Sequence, residues 1–156
     1  MNTFKKIIVL SGFIFACICA EAQHNVENIF RNYGKRKGST FIDLGKAVLG
    51  SHTKISRYKS LIFPADTALV NVIANEIKMS YRETLMESMK DGQFETGYYY
   101  VKMPNSSEYA YILFTNKSQL ITLVYIFGTF PPDKLNNELN KLKDLFITVN
   151  DKQIKL

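Results

Sequence analysis

The stretch Gly97–Phe130, GYYYVKMPNSSEYAYILFTNKSQLITLVYIFGTF, decides the fold, because its aromatic and β-branched residues form either a ligand platform or the middle of a sheet. Turn compositions, PNSS at 104–107 and NKS at 116–118, divide it and its flank into three strand-length runs: Gln93–Met103, Ser107–Thr115 and Gln119–Phe130. Such runs joined by short turns predict an antiparallel meander. Successive strand residues face opposite sides, so Leu120, Thr122, Val124 and Ile126 share one face of the last run, and Ile121, Leu123, Tyr125 and Phe127 share the other. Both faces are apolar, which places this strand inside the sheet. In the first run Phe94, Tyr98 and Tyr100 alternate with Glu95, Gly97, Tyr99 and Val101, and tyrosine is a good strand former whose phenol can reach water. The stretch reads as sheet rather than platform, since the flanking helices need a face to pack on.

Working outward, Val26, Ile29, Phe30 and Tyr33 fall at i, i+3, i+4 and i+7, which predicts a short amphipathic helix over 25–33 with Gly34 as its stop. Ser39–Gly45 and Lys54–Phe63 read as the first two strands, joined by KAVLGSHT with room for a helical turn. Pro64 ends the second strand, and Asp66 offers a side-chain acceptor to the free N–H groups of the next helix. Leu69, Ile73, Ile77, Tyr81 and Leu85 repeat every four residues, which predicts helix from 66 to about 91, as one helix or as two broken near Ser80. Pro131-Pro132-Asp133 opens a last helix whose buried stripe is Leu135, Leu139, Leu142 and Phe146, followed by a loose tail from about 148. The expected fold class is α+β: a two-layer sandwich, helices packed on a mostly antiparallel sheet that ends in a three-stranded meander and a C-terminal helix.

The first 22 residues carry a different signal. Lys5 and Lys6 precede an apolar run from Ile7 to Ala20, and Ala20-Glu21-Ala22 supplies a small-x-small cleavage site. The run is short of the ~20 apolar residues that span a bilayer. A secretory signal peptide over 1–22 is expected, with Gln23 as the mature N-terminus, a single domain over 23–156 and no transmembrane segment in the mature chain. Cys17 follows Ile14-Phe15-Ala16, and bulky Phe15 fits a lipidation signal poorly, so lipid anchoring at Cys17 is not expected. Cleavage after Ala22 removes Cys17 and Cys19, the only cysteines, and leaves stability to a packed core. Of 20 basic and 14 acidic residues, Lys5, Lys6 and Glu21 depart with the signal, so the mature chain carries 18 and 13, a net +5. That balance is mildly basic and suits an anionic partner only weakly.

The blocks NIFRNYGKRKG at 28–38, YKSLIF at 58–63, GQFETGYY at 92–99, YILF at 111–114 and TLVYIFG at 122–128, the last just before a terminal helix, resemble a family of small exported Bacteroidetes domains of unknown function. The resemblance spans most of Asn28–Phe146 and departs at Phe127, where the family favours an acidic residue. It implies an exported envelope protein and a similar fold. It implies no activity.

The chemistry-bearing residues are few. With the cysteines gone and only His24 and His52 left, no metal site and no cofactor are expected. His52 has Ser51 and Asp43 as candidate partners but reads as a solvated loop residue, and Glu83 with Glu87 reads as a charged face beside Arg82 and Lys90. Lys46 lacks phosphate-loop spacing, and no nucleophile elbow or calcium loop is present. The dense charge feature is Arg31, Lys35, Arg36 and Lys37, with Arg57 and Lys59 as residues that could join it. As a patch it would take an anionic glycan, a lipid surface or an acidic protein; nucleic acid is disfavoured by export. Asp66-Thr67-Ala68 resembles the acceptor for O-glycosylation of exported Bacteroidetes proteins, which marks Thr67 as a modification candidate beside the capping role of Asp66. The expected function is a non-enzymatic exported accessory or binding protein of the bacterial envelope. The rival class is an envelope hydrolase with a carboxylate-based or Ser/His-based site.

Overall fold

The computed structural model describes residues 25–143, 146–149 and 152–155. The expected signal peptide, the cleavage site after Ala22 and Cys17 lie outside the described residues. Helix α1 covers 25–33, followed by β1 (Thr40–Gly45), α2 (Lys46–Leu49), β2 (Ile55–Pro64), α3 (Thr67–Ser80), β3 (Glu83–Lys90), β4 (Gln93–Lys102), β5 (Tyr109–Lys117) and β6 (Leu120–Gly128). A 3₁₀ turn at Pro132–Lys134 leads into α4 (Leu135–Leu142), and β7 (Phe146–Val149) pairs with β8 (Lys152–Lys155).

The six strands β1 to β6 form one antiparallel sheet in the order β1-β2-β6-β5-β4-β3. Strand β6 lies between β2 and β5, as its two apolar faces require. Ile121 and Leu123 pack under α1 and α3 with Ile29, Phe30, Val70, Ile73 and Ile77. Ile126, on the opposite face, packs with Leu49, Tyr111, Leu135 and Leu142 beneath α2 and α4. The architecture is the expected α+β sandwich with its C-terminal helix, the short α2 and α4 closing part of the second face.

Local chemistry fixes the helix ends. Gly34 N–H donates to Phe30 O at 2.8 Å, and a Cβ at Gly34 would lie 2.5 Å from that same oxygen, so only glycine fits the stop. Asp66 Oδ1 accepts from Leu69 N–H at 2.8 Å, the N-cap read from the sequence.

Two expectations need correction. Residues 66–91 are neither one helix nor two: α3 ends at Ser80, and Glu83–Lys90 is the edge strand β3, so the meander has four strands rather than three. Tyr81 turns extended (φ −112°, ψ 102°) and buries its ring in the core, which breaks the helix. Leu85 and Met89, which continued the four-residue repeat, are 40 % and 59 % exposed, so their spacing marks no buried helical face. The second correction is Phe146, which lies in β7 rather than on the last helix; α4 stops after Leu142.

The aromatic stretch is structural. Tyr111 stacks on Phe130 with ring centroids 5.0 Å apart and donates its hydroxyl to Phe130 O at 2.6 Å, fixing the chain that leads into α4. Tyr100 and Tyr109 pack around Tyr111 at 6.2 and 6.1 Å.

Candidate functional site

The basic residues do not converge on one surface. Lys35, Arg36 and Lys37 are exposed in the turn after α1, with the Arg36 guanidinium 4.1 Å from the Tyr33 ring centroid. Arg31, on α1, donates to Asn28 Oδ1 at 2.6 Å. Gly38 lies against Pro64, which places this turn at the C-terminal end of β2. Arg57 is seven residues back along β2, roughly 23 Å away at the rise of an extended strand. There it pairs in bidentate fashion with Asp43, Nε to Oδ1 at 3.1 Å and Nη2 to Oδ2 at 2.8 Å. That hydrogen bond, aided by the charge of Lys59, holds the Asp43 carboxyl below its ordinary value against the opposing effect of burial. Lys59 is 2 % exposed; its ammonium meets Glu27 at 2.5 Å and Asp43 at 3.8 Å, and lies 5.7 Å from the Phe30 ring centroid. Arg57, whose side chain stays half exposed, and buried Lys59 therefore tie β1, β2 and α1 together, apart from the exposed turn cations Lys35, Arg36 and Lys37.

The same end of the sheet carries a cleft of about 410 Å³. The β3–β4 turn, the β5–β6 turn and the start of α3 surround it. Its floor is Ala65, Val70 and Phe94; its amides are Gln93, Asn116 and Gln119, and its hydroxyls Thr67 and Ser118. Two cations, Lys90 and Lys117, and two carboxylates, Asp91 and Glu95, also line it, and Glu95 Oε2 accepts from Ser88 Oγ at 3.4 Å. Thr67 is exposed in the first turn of α3, as its capping neighbour Asp66 implied, and its Oγ1 accepts from Gln93 Nε2 at 3.3 Å. Asn116 donates Nδ2 to Phe94 O at 3.3 Å, while its Oδ1 is buried without a hydrogen-bond partner. Among the described residues the Thr67 hydroxyl is met by the Gln93 amide rather than by a carboxylate or imidazole.

Other polar groups serve the fold. Glu138, 3 % exposed, accepts from Thr53 Oγ1 at 2.9 Å, Lys54 N–H at 2.8 Å and Lys141 Nζ at 2.6 Å. Burial alone would raise its pKa; the bonds from Lys141, Lys54 and Thr53 outweigh burial and hold it below the ordinary value. Glu83 and Glu87 lie on β3, not on a helix. Glu87 accepts from Tyr99 Oη at 2.5 Å and from Lys78 Nζ at 3.0 Å, and the Tyr99 bond is the main reason its pKa is lowered. Among the described residues no group of three or more His, Cys, Asp or Glu side chains is placed to hold a metal, and no helix is long and apolar enough to cross a membrane.

Of the cleft residues, the sequence marks only Thr67 as a functional candidate. The turn at 116–118 is legible as a turn, whereas Asp91-Gly92 reads in the sequence as the end of a helix, and nothing local says that both tips lie beside the start of α3; that follows from strand order.

Residues 13–139 match the family of unknown function DUF6108, and the chain belongs to that family. No curated protein matches the chain.

Proposed function

We propose that this member of the family is a non-enzymatic exported binding protein of the bacterial envelope, in a Bacteroidetes source, and that it engages an anionic glycan through the C-terminal end of β2. The observation that carries this reading is that an open polar cleft and the exposed turn Lys35-Arg36-Lys37 lie at the same end of the sheet, over a filled core. A glycan suits both features, since its charged groups meet the turn and a sugar ring fits a cleft of this size; a lipid surface or an acidic protein would use the turn alone. Export rests on the Lys5–Ala22 pattern and on the resemblance of the core blocks.

One preparation tests the reading. Protein recovered from the envelope of the expressing cell is expected to begin at Gln23 by intact mass, and to be retained on immobilised polygalacturonate at low salt. Retention is expected to fall as salt rises past the ~10 Å screening length of 0.1 M. The triple variant Lys35→Ala, Arg36→Ala, Lys37→Ala should lose most of it with an unchanged melting temperature. Arg57→Ala should keep it, because that guanidinium is already paired with Asp43. Equal retention of triple variant and wild type, or a diacylated species beginning at Cys17, would overturn the corresponding half of the proposal.

A further inference from the structure

We infer that the cleft between α3 and the two hairpin tips is the recognition site for an uncharged, hydroxyl-rich sugar unit, so that the charged part of the glycan is read by the turn and not by the cleft. This rests on the binding reading above and adds the ligand chemistry of one part of the site.

Charge balance comes first. Lys90 and Lys117 are matched by Asp91 and Glu95 around the same opening. An anion entering it meets as many negative as positive groups and gains little net attraction. Hydrogen-bonding demand comes second. Asp91 and Glu95 are acceptors only, and Glu95 already takes one long bond, 3.4 Å, from Ser88 Oγ. A sulfate or carboxylate brings acceptors only, and a phosphate keeps at most one or two hydroxyls to donate while adding its own negative charge beside Asp91 and Glu95. Sugar hydroxyls both donate and accept, so one ring can donate to the carboxylates while accepting from Lys90, Lys117 and the Gln93 amide. The floor of Ala65, Val70 and Phe94 supplies the apolar patch that a sugar ring covers with its C–H face. Gln93 is tied within the free cleft only by a 3.3 Å bond to Thr67, so a ligand can recruit its amide at small cost.

The test is a chemical-shift titration of the ¹⁵N-labelled mature protein with maltose, cellobiose and chitobiose as uncharged probes, and with digalacturonate and inorganic phosphate as anionic ones. At least one uncharged disaccharide is expected to move the amide signals of Gln93, Asn116 and Lys117. Its apparent affinity should change less than about twofold between 0.05 and 0.5 M salt, because uncharged hydroxyls lack a screened attraction. Gln93→Ala should weaken binding about tenfold, the scale of a lost hydrogen bond or two. Cleft signals moved by phosphate or digalacturonate and restored by salt would overturn the ligand class while leaving the envelope-glycan reading standing. Shifts confined to Lys35–Lys37 with every probe would remove the cleft from that reading altogether, and no shift with any uncharged probe at 10-millimolar order would overturn the inference.

Discussion

Strands β6 and β3 belong to the same antiparallel sheet and are held in opposite ways. β6 is flanked by β2 and β5 and buries Ile121, Leu123 and Ile126 on two faces. Among the described residues β3 has β4 as its single neighbour, and it is exposed along nearly its whole length. Their turns show the reverse quality. Asp91-Gly92, which closes β3 onto β4, has φ of +52° and +76°, and Asp-Gly is a sequence suited to two left-handed residues in a two-residue hairpin. Ser118-Gln119, which closes β5 onto β6, adopts +53° and +61° with neither glycine nor asparagine. The interior strand tolerates a poor turn because packing on both faces dictates its register, whereas the edge strand takes its register from a good turn.

The largest effect that separates the two strands is a buried charge. Leu123→Asp puts a carboxylate among Leu61, Phe63 and Ile112 without a partner and should cost about 4 kcal/mol or more, enough to unfold most domains of this size. Met86→Asp on β3, at a side chain already 44 % exposed, should stay within about 0.5 kcal/mol. Val124→Asp falls between them, because Val124 is only half-buried. Chemical denaturation of the three variants checks the order, and similar costs at 123 and 86 would erase the distinction between interior and edge.

That contrast also explains what the sequence disclosed. Where burial selects residue types, as in Gln119–Phe130 or in Val26, Ile29, Phe30 and Tyr33, the pattern is the fold, and both elements lie where the spacing places them. In Glu83–Lys90 no face is buried, so no period-2 pattern is imposed, and Leu85 and Met89 happen to extend the repeat of α3. The helix–strand boundary depends on Tyr81 entering the core, a tertiary event. The basic residues divide for the same reason: Lys59 and Lys37 are equally charged in sequence, and only the packing of α1 on β2 makes one a buried tie and the other a surface cation. The cleft needs the strand order before its walls can be named.

A second test compares carboxylates tied inside and at the edge. Glu138→Gln breaks a three-donor site in which Lys54 N–H and Thr53 Oγ1 are held behind α4, and should cost about 2 kcal/mol. Glu87→Gln keeps an acceptor for the Tyr99 hydroxyl and loses the ion pair with half-exposed Lys78, so it should cost about 1 kcal/mol or less after screening. Both carboxyls have folded pKa values below the ordinary 4.5. Their stabilisation is therefore fully present above that value and is lost as pH falls through the folded one. Wild-type stability should drop on acidification below pH 4.5, and Glu138→Gln should flatten that drop more than Glu87→Gln. An equal flattening by both would mean that the interior tie is worth no more than the edge tie.

The smallest effects fall on the turns themselves, and they test whether register really comes from packing in one hairpin and from the turn in the other. Nothing lies within 4 Å of a Cβ built on Gly92, so Gly92→Ala adds no clash and reports only the cost of a left-handed alanine, about 1 kcal/mol. Because β3 has no other neighbour, that cost should appear locally, as faster amide exchange along 83–90, before it appears in the global transition. Gln119→Gly relieves a strained residue and should stabilise the domain by about 0.5 kcal/mol, while the exchange pattern of 120–128 stays as in wild type. The bond from Ala65 N–H to Gln119 O, 2.9 Å, is made by the backbone and survives the change. Loss of stability in Gln119→Gly, or altered protection along β6, would show that the Ser118-Gln119 turn does set the register of the central strand, and that burial on two faces is not sufficient to do so.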